Sequence, residues 1–311
     1  MDVSSTAMST TTTQVFVQEA DAPSGPSVSI AQHNILQITL GGPGLMLTIL
    51  AIIVGIHILQ PYLTCILLVL APLPWIIHND YVNFLNLGPG GTPPTFRGYL
   101  KITYLRLFAL SDPYTPAIFS GAIYPVQGYY ERAKSWLPKR PGPRPKIAGI
   151  APQRQIDQPG CALMNQRLRQ GLKNLAMRNP HRFKIGTSCF EKKGLALFAR
   201  DPINITCRGE ICHIHYIDKS MHLNLHPDDA RLVLEKGWGE RHPLARGGWM
   251  KAFVPQQFIM VYAPRNCTEL DVVCRIIEAA SFWACGERFE LKIEGDLLME
   301  REAGGAGRAD Y

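Results

Sequence analysis

The sequence predicts an α+β fold: N-terminal transmembrane segment(s), then a compact domain with an antiparallel sheet covered by helices. Three observations carry this. No Asp, Glu, Lys or Arg occurs from Ala22 to Asn79, short β-rich runs separated by turn signals fill much of the second half, and helical patterns lie on both sides of them. Strands grouped between helices belong to α+β architectures, whereas strict alternation would point to a parallel sheet.

Residues 1–34 are rich in Ser and Thr with little to bury, and read as disordered. Residues 35–79 contain two almost wholly apolar runs, "LMLTILAIIVGIHIL" (45–59) and "YLTCILLVLAPLPWII" (62–77). One helix crosses a bilayer with about 20 residues, so the region is too long for a single straight span. Pro61 is the expected break, giving either one bent span or a helical hairpin joined near Gln60. A cleaved signal peptide fits poorly, because the apolar core starts far into the chain and no Lys or Arg precedes it. A buried core helix is the bland alternative.

All 32 Lys and Arg residues follow Asp80, whereas only Asp2, Glu19 and Asp21 carry charge before Ala22. Arg97, Lys101 and Arg106 are near enough to the apolar run for the positive-inside bias, which places the C-terminal part in the cytosol, at the endoplasmic reticulum or another endomembrane. Eight cysteines without paired CxxC spacing read as free thiols. The sequons at Asn204 and Asn266 are then expected to stay unglycosylated.

Residues 80–149 read as a membrane-proximal connector ending in "LPKRPGPRPK" (137–146), a stiff basic linker whose four prolines forbid a helix. Residues 150–299 form the compact domain, and 300–311 a disordered tail. Within the domain, "CALMNQRLRQGLKNLAMR" (161–178) has helical spacing. Strands are expected at 183–190, 194–198 and 203–207, with "EKKG" turning between the first two. "HPDDARLVLEKG" has Pro227 at a first helical position, acids in the first turn and Gly237 past the end. "QFIMVY" (257–262) is a strand, and "NCTE" opens a last helix, with Asn266 as cap and Glu269 at the reciprocal position.

Four of the nine histidines fall in "EICHIHYIDKSMHLNLH" (210–226). If this is a hairpin turning at "IDKS", His213 and His215 share a face, and His222 and Asn224 lie opposite them. The expected register pairs Tyr216 with Met221, His215 with His222, and His213 with Asn224. Opposed side chains about 5 Å apart can share a proton, a ligand or a metal. Three imidazoles are a known metal-binding set, although no carboxylate stands at a suitable spacing. Isolated histidines on a polar strand face would do nothing, and all three readings stay open. "GWGERHPLARGG" (237–248) holds Trp238, Glu240, Arg241 and His242 between glycines, and "VYAPRN" places Tyr262 and Arg265 at a strand end. Trp238 and Tyr262 offer aromatic surfaces and the arginines offer anion clamps; anchoring and helix capping are the plainer roles.

At these residues the chain resembles the fungal luciferase family: "HIHYIDKSMHLNL", "LEKGWGERHPLA" and "VYAPRN" occur in the family's order, with "DYVNFLNLGPGGTPPTFRGYL" (80–100) and "QRQ" (153–155) upstream. The resemblance implies an oxygenase that uses O₂ as co-substrate on a hydroxypyrone such as 3-hydroxyhispidin, without flavin or haem. It implies His213, His215, His222, His242 and Arg241 as catalytic candidates, and Trp238, Glu240, Tyr262, Arg265 and Asn224 as substrate contacts. No cofactor is expected, with metal at the histidine hairpin left open. The expected partners are the aromatic or pyrone substrate and the lipid bilayer. Nucleic acid is not expected, because the formal charge of +7 is scattered and no basic motif is interleaved with aromatics. A non-catalytic binding member and a three-histidine metal enzyme are the rival readings.

Overall fold

The computed structural model of the chain describes residues 28–31, 37–40, 42–118, 121–134 and 136–293. The expected disordered ends, 1–34 and 300–311, lie outside these apart from 28–31. The chain divides into two units, Met1–Ile76 and Ile77–Tyr311.

In the first unit β1 (Val28–Ala31) pairs antiparallel with β2 (Gln37–Leu40). Then come α1 (Gly42–Leu59), α2 (Pro61–Leu70) and α3 (Pro72–Asn86), the last running past the unit boundary. The break falls at Gln60, as Pro61 predicts: proline has no N–H, and only in a first turn is that donor unpaired anyway. Two helical stretches, 42–59 and 61–86, are long and apolar enough to cross a membrane, and no side chain of α1 is buried.

The second unit begins with the end of α3, so residues read as a connector are part of it. α4 (Phe96–Arg106) and α5 (Tyr129–Ala133) come first, then the small hairpin β3 (Ile147–Gly149) and β4 (Gln153–Gln155). After α6 (Ala162–Arg178) come β5 (Phe183–Thr187), β6 (Leu195–Ala199), β7 (Glu210–Ile214) and β8 (Met221–Asn224). α7 (Pro227–Glu235), β9 (Gly239–Arg241), β10 (Phe258–Val261) and α8 (Cys267–Cys285) complete it. The main sheet has the order β5-β6-β7-β8-β10-β9, every pair antiparallel.

α6 and α8 cover one face of this sheet, over a core that includes Leu168, Leu172, Leu197, Ile214, Leu223 and Ile259. Burying each such side chain is worth roughly 1.5–3 kcal/mol. A second cluster, with Phe84, Tyr99, Ile102, Leu105, Leu244 and Phe258, meets the other face. Both faces are therefore covered, and all five β6 residues are buried.

Four expectations are corrected. Residues 203–207 form no strand: Ile203 N–H donates to Ala284 O, Asn204 donates to Tyr124 O and Trp283 O, and the chain then turns through positive φ at Cys207 and Arg208. Residues 239–241, framed by glycines and read as loop, are the edge strand β9, which pairs with β10. Cys189 and Cys207 are paired as a disulfide, with Cα atoms 6.3 Å apart, because the turn before β7 folds Cys207 back to the end of β5. The cap of α8 is also altered: Asn266 accepts from Glu269 N–H, but Glu269 accepts from Arg265 N–H rather than returning to the cap.

Candidate functional site

The β7–β8 hairpin forms, two residues out of the expected register. His213 lies opposite His222 and Ile214 opposite Met221, while His215 N–H donates to Ser220 O across the loop Tyr216–Lys219. The turn settles here because Ser220 is fully buried and hydrogen-bonded to Asp218 and His215, whereas Tyr216 is 77% exposed and Lys219 takes the left-handed φ of 65°. A β-bulge opposite Leu197 and Phe198 places an extra residue in β7. Glu210, three positions before His213, thereby shares its face; in a regular strand the two would point to opposite sides.

His213, His215, His222 and His242 all line one cavity of about 260 Å³. Phe190 and Phe258 supply aromatic walls, with Phe258 stacked on His222 at 5.0 Å and 6° between planes. The Arg154–Glu191 ion pair and Lys101 line it as well.

Each imidazole is held differently. His213 Nδ1 is 2.6 Å from the Glu210 carboxylate, which also accepts from Ser188 Oγ (2.9 Å) and Cys189 N–H (2.6 Å). His215 Nδ1 is 2.8 Å from Ser220 Oγ and 3.3 Å from Asp218. Its Nε2 is 2.8 Å from His222 Nδ1, and His222 Nε2 is 2.9 Å from Gln153 Oε1. Burial lowers the pKa of His215 despite the opposing pull of Asp218. Burial, then the neighbouring imidazoles, push His222 well below the ordinary range. Burial alone would raise Asp218, but hydrogen bonds from His215, Ser220 and the Gln155 N–H hold it at about 2.

His242 is of another kind. Its Nε2 donates to Ile150 O (2.9 Å), its Nδ1 accepts from Leu244 N–H (3.1 Å), and burial takes its pKa to about 3. A neutral ring with both nitrogens committed to backbone shapes the wall and has no nitrogen left for a substrate proton. His226, the remaining histidine of the stretch, caps α7 through Nδ1 and donates Nε2–H to Pro125 O (3.1 Å).

The other expected site residues lie outside the cavity lining. Trp238 donates to Pro138 O (2.6 Å), Arg241 to Thr115 O (3.2 Å) and Ala245 O, and Arg265 to Pro141 O (2.9 Å) while ion-paired with Glu269. Asn224 is 2.9 Å from Thr206 Oγ1. Glu240 stands one step behind: it accepts from Gln153 Nε2 (3.0 Å) and Tyr262 O–H (3.2 Å), and burial raises its pKa to about 7. Sequence reasoning missed Glu210, Asp218 and Gln153 as partners of the histidines. Gln153 comes from β4, far along the chain, and only the β-bulge brings Glu210 round; Asp218, three residues from His215, was legible as a loop carboxylate.

The Luciferase domain family matches residues 208–280, the span from β7 into α8. The chain is 34% identical over 223 residues to the luciferase of Neonothopanus nambi, covering 66% of this chain and 80% of that protein. The luciferases of Armillaria mellea and Armillaria ostoyae are each 34% identical over 220 residues, with the same 66% and 80% coverage. No solved structure matches the chain. With its histidine hairpin inside the matched span and most of each relative's length covered, the chain belongs to the fungal luciferase family.

Proposed function

We propose that the chain is a membrane-anchored oxygenase of the luciferase type, acting on a hydroxypyrone or related polyphenol of the 3-hydroxyhispidin class. The observation that carries this reading is the cavity: imidazoles converging on a space of about 260 Å³ with aromatic walls, at the small end of ligand cavities and suited to a flat aromatic molecule. An imidazole of the His215–His222 pair takes the enol proton, and the resulting enolate passes electrons to O₂, which adds to the ring before CO₂ leaves. His215 is suited to this because Asp218 and Ser220 hold its far nitrogen and steady the ring. Lys101, which lines the cavity, takes the anion-stabilising role that the sequence assigns to Arg241 and Arg265, whereas Arg154 is held by Glu191 and by the carbonyls of Leu87 and Pro89.

The apolar N-terminal helices support an anchor that keeps the domain beside the bilayer, where a lipophilic substrate accumulates. The basic residues after Asp80 support a cytosolic domain on an endomembrane. Oxygen-electrode and CO₂ measurements on the full chain in detergent, with 3-hydroxyhispidin, test the reading. One O₂ consumed per CO₂ released is expected; no uptake with any hydroxypyrone would leave a non-catalytic binding member of the family as the better reading.

A further inference from the structure

The three histidines of the hairpin region share a property that proton chemistry alone does not require. In each ring the nitrogen turned outward meets a group that accepts. His213 Nδ1 meets the Glu210 carboxylate at 2.6 Å. His215 Nδ1 meets Ser220 Oγ at 2.8 Å, and the one proton of that hydroxyl is committed to Asp218. His222 Nε2 meets Gln153 Oε1 at 2.9 Å, and that amide is oriented by donating its own N–H to Glu240. A neutral imidazole carries a single N–H, and an acceptor partner draws it to the outer nitrogen. The inner nitrogens, His213 Nε2, His215 Nε2 and His222 Nδ1, then present lone pairs.

Two of these lone pairs face each other at 2.8 Å, and ring nitrogens of all three residues lie within 4.8 Å of one another. Lone pairs so close repel unless a cation lies between them. The surrounding charge agrees with more than a proton. Glu210 and Asp218 are both buried, and among the described residues their only ion-pair partners are His213 and His215. Two buried carboxylates behind neutral imidazoles balance a dication.

We propose that His213 Nε2, His215 Nε2 and His222 Nδ1 bind one divalent transition-metal ion, with Glu210, Asp218 and Gln153 as the outer partners that fix the ligand tautomers. Carboxylates behind metal-bound histidines are the usual support of such sites. Imidazole donors select borderline ions such as Zn²⁺, Co²⁺, Fe²⁺ or Cu²⁺ over Mg²⁺ or Ca²⁺. Metal–nitrogen bonds of roughly 2.0–2.1 Å in a tetrahedral site put ligand nitrogens about 3.3 Å apart, so the His215–His222 gap opens by about 0.5 Å on binding. His242 does not join, because both its nitrogens are held by backbone. Three protein ligands leave a coordination position toward the cavity for an exogenous oxygen donor, the class to which a vicinal hydroxyl and carbonyl on a pyrone belong. The ligated imidazoles then have no lone pair for the enol proton, and the charge of the ion acidifies the coordinated enol in their place, the proton passing to solvent.

The test is a Co²⁺ titration of the full-length protein in detergent after chelator treatment, with elemental analysis of untreated protein alongside. One equivalent of Co²⁺ with visible d–d bands is expected, lost in His213→Ala and His222→Ala and kept in His181→Ala, which removes an exposed histidine. Glu210→Gln retains every metal-facing atom and should weaken binding about 10–100-fold. Near-UV circular dichroism identifies variants that have not folded, for which Glu210→Gln alone decides. Folded wild type that takes up no Co²⁺, or uptake unchanged in Glu210→Gln and in the folded histidine variants, overturns the proposal. Oxygen uptake is read separately: metal bound without turnover defeats the oxygenase reading only, and turnover by a folded protein that takes up no Co²⁺ defeats this one only.

Discussion

His222 and His242 have ring centroids 5.3 Å apart, yet backbone groups hold both nitrogens of one and neither nitrogen of the other. A ring fixed by backbone and a ring held only by side chains are separated by that distance. Replacing His242 by Ala strands the buried Leu244 N–H and Ile150 C=O, and should cost about 1–3 kcal/mol in chemical denaturation. Glu240 gives a pH signature. Its folded pKa of about 7 lies above the ordinary 4.5, so the fold binds this proton more tightly than the unfolded chain does. The stability it contributes is full below about 4.5 and lost as pH rises through about 7. Glu240→Gln should flatten the stability–pH curve across that window; an unchanged slope would contradict the raised value. The histidines were legible in the sequence because three of them alternate on hairpin arms. The expected site residues that lie outside the cavity lining are ones whose side chains serve backbone: Trp238, Arg241 and Arg265 are aromatic or cationic groups in glycine- and proline-framed segments, and only the folded structure reveals that main-chain carbonyls already occupy them.

Among the elements, the β3–β4 hairpin matters beyond its size, because it delivers Gln153 to His222. Gly149 turns it at φ 80°, and a Cβ there would lie 2.2 Å from Pro152 O. Gly149→Ala should therefore destabilise the protein by about 1–2 kcal/mol and displace Gln153; unchanged melting would show that the turn is not constrained. The opposite face of β8 bears on stability alone: Leu223 is fully buried, and Leu223→Ala should cost about 2–5 kcal/mol. Helices α6, α7 and α8 and strands β5 to β8 and β10 could be read from spacing and caps, since each buries a regular pattern. β9 escaped because a three-residue edge strand between glycines has no period to detect, and the β7–β8 register slipped because it depends on which loop residue Ser220 and Asp218 pull inward.

For the molecule as a whole, the apolar helices ahead of the second unit and the basic residues after them make orientation testable. A cytosolic domain keeps Asn204 and Asn266 bare and the Cys189–Cys207 pair open to reduction, whereas a lumenal one glycosylates the sequons and keeps the pair oxidised. Glycosidase treatment of protein from a eukaryotic host should produce no mobility shift; a shift would reverse the orientation. The fold then serves one purpose in this account: a sheet covered on both faces holds imidazoles from two strands against a small aromatic-walled cavity. The most direct test compares kcat/KM for oxygen uptake with 3-hydroxyhispidin in His215→Ala and His222→Ala against Arg241→Lys and Arg265→Lys. Losses of about 100-fold or more in the histidine variants, with the folded arginine variants within a few-fold of wild type, are expected, in line with the loss of a positioned proton carrier. Full activity in both histidine variants, or a deeper loss in the folded arginine variants, would contradict it.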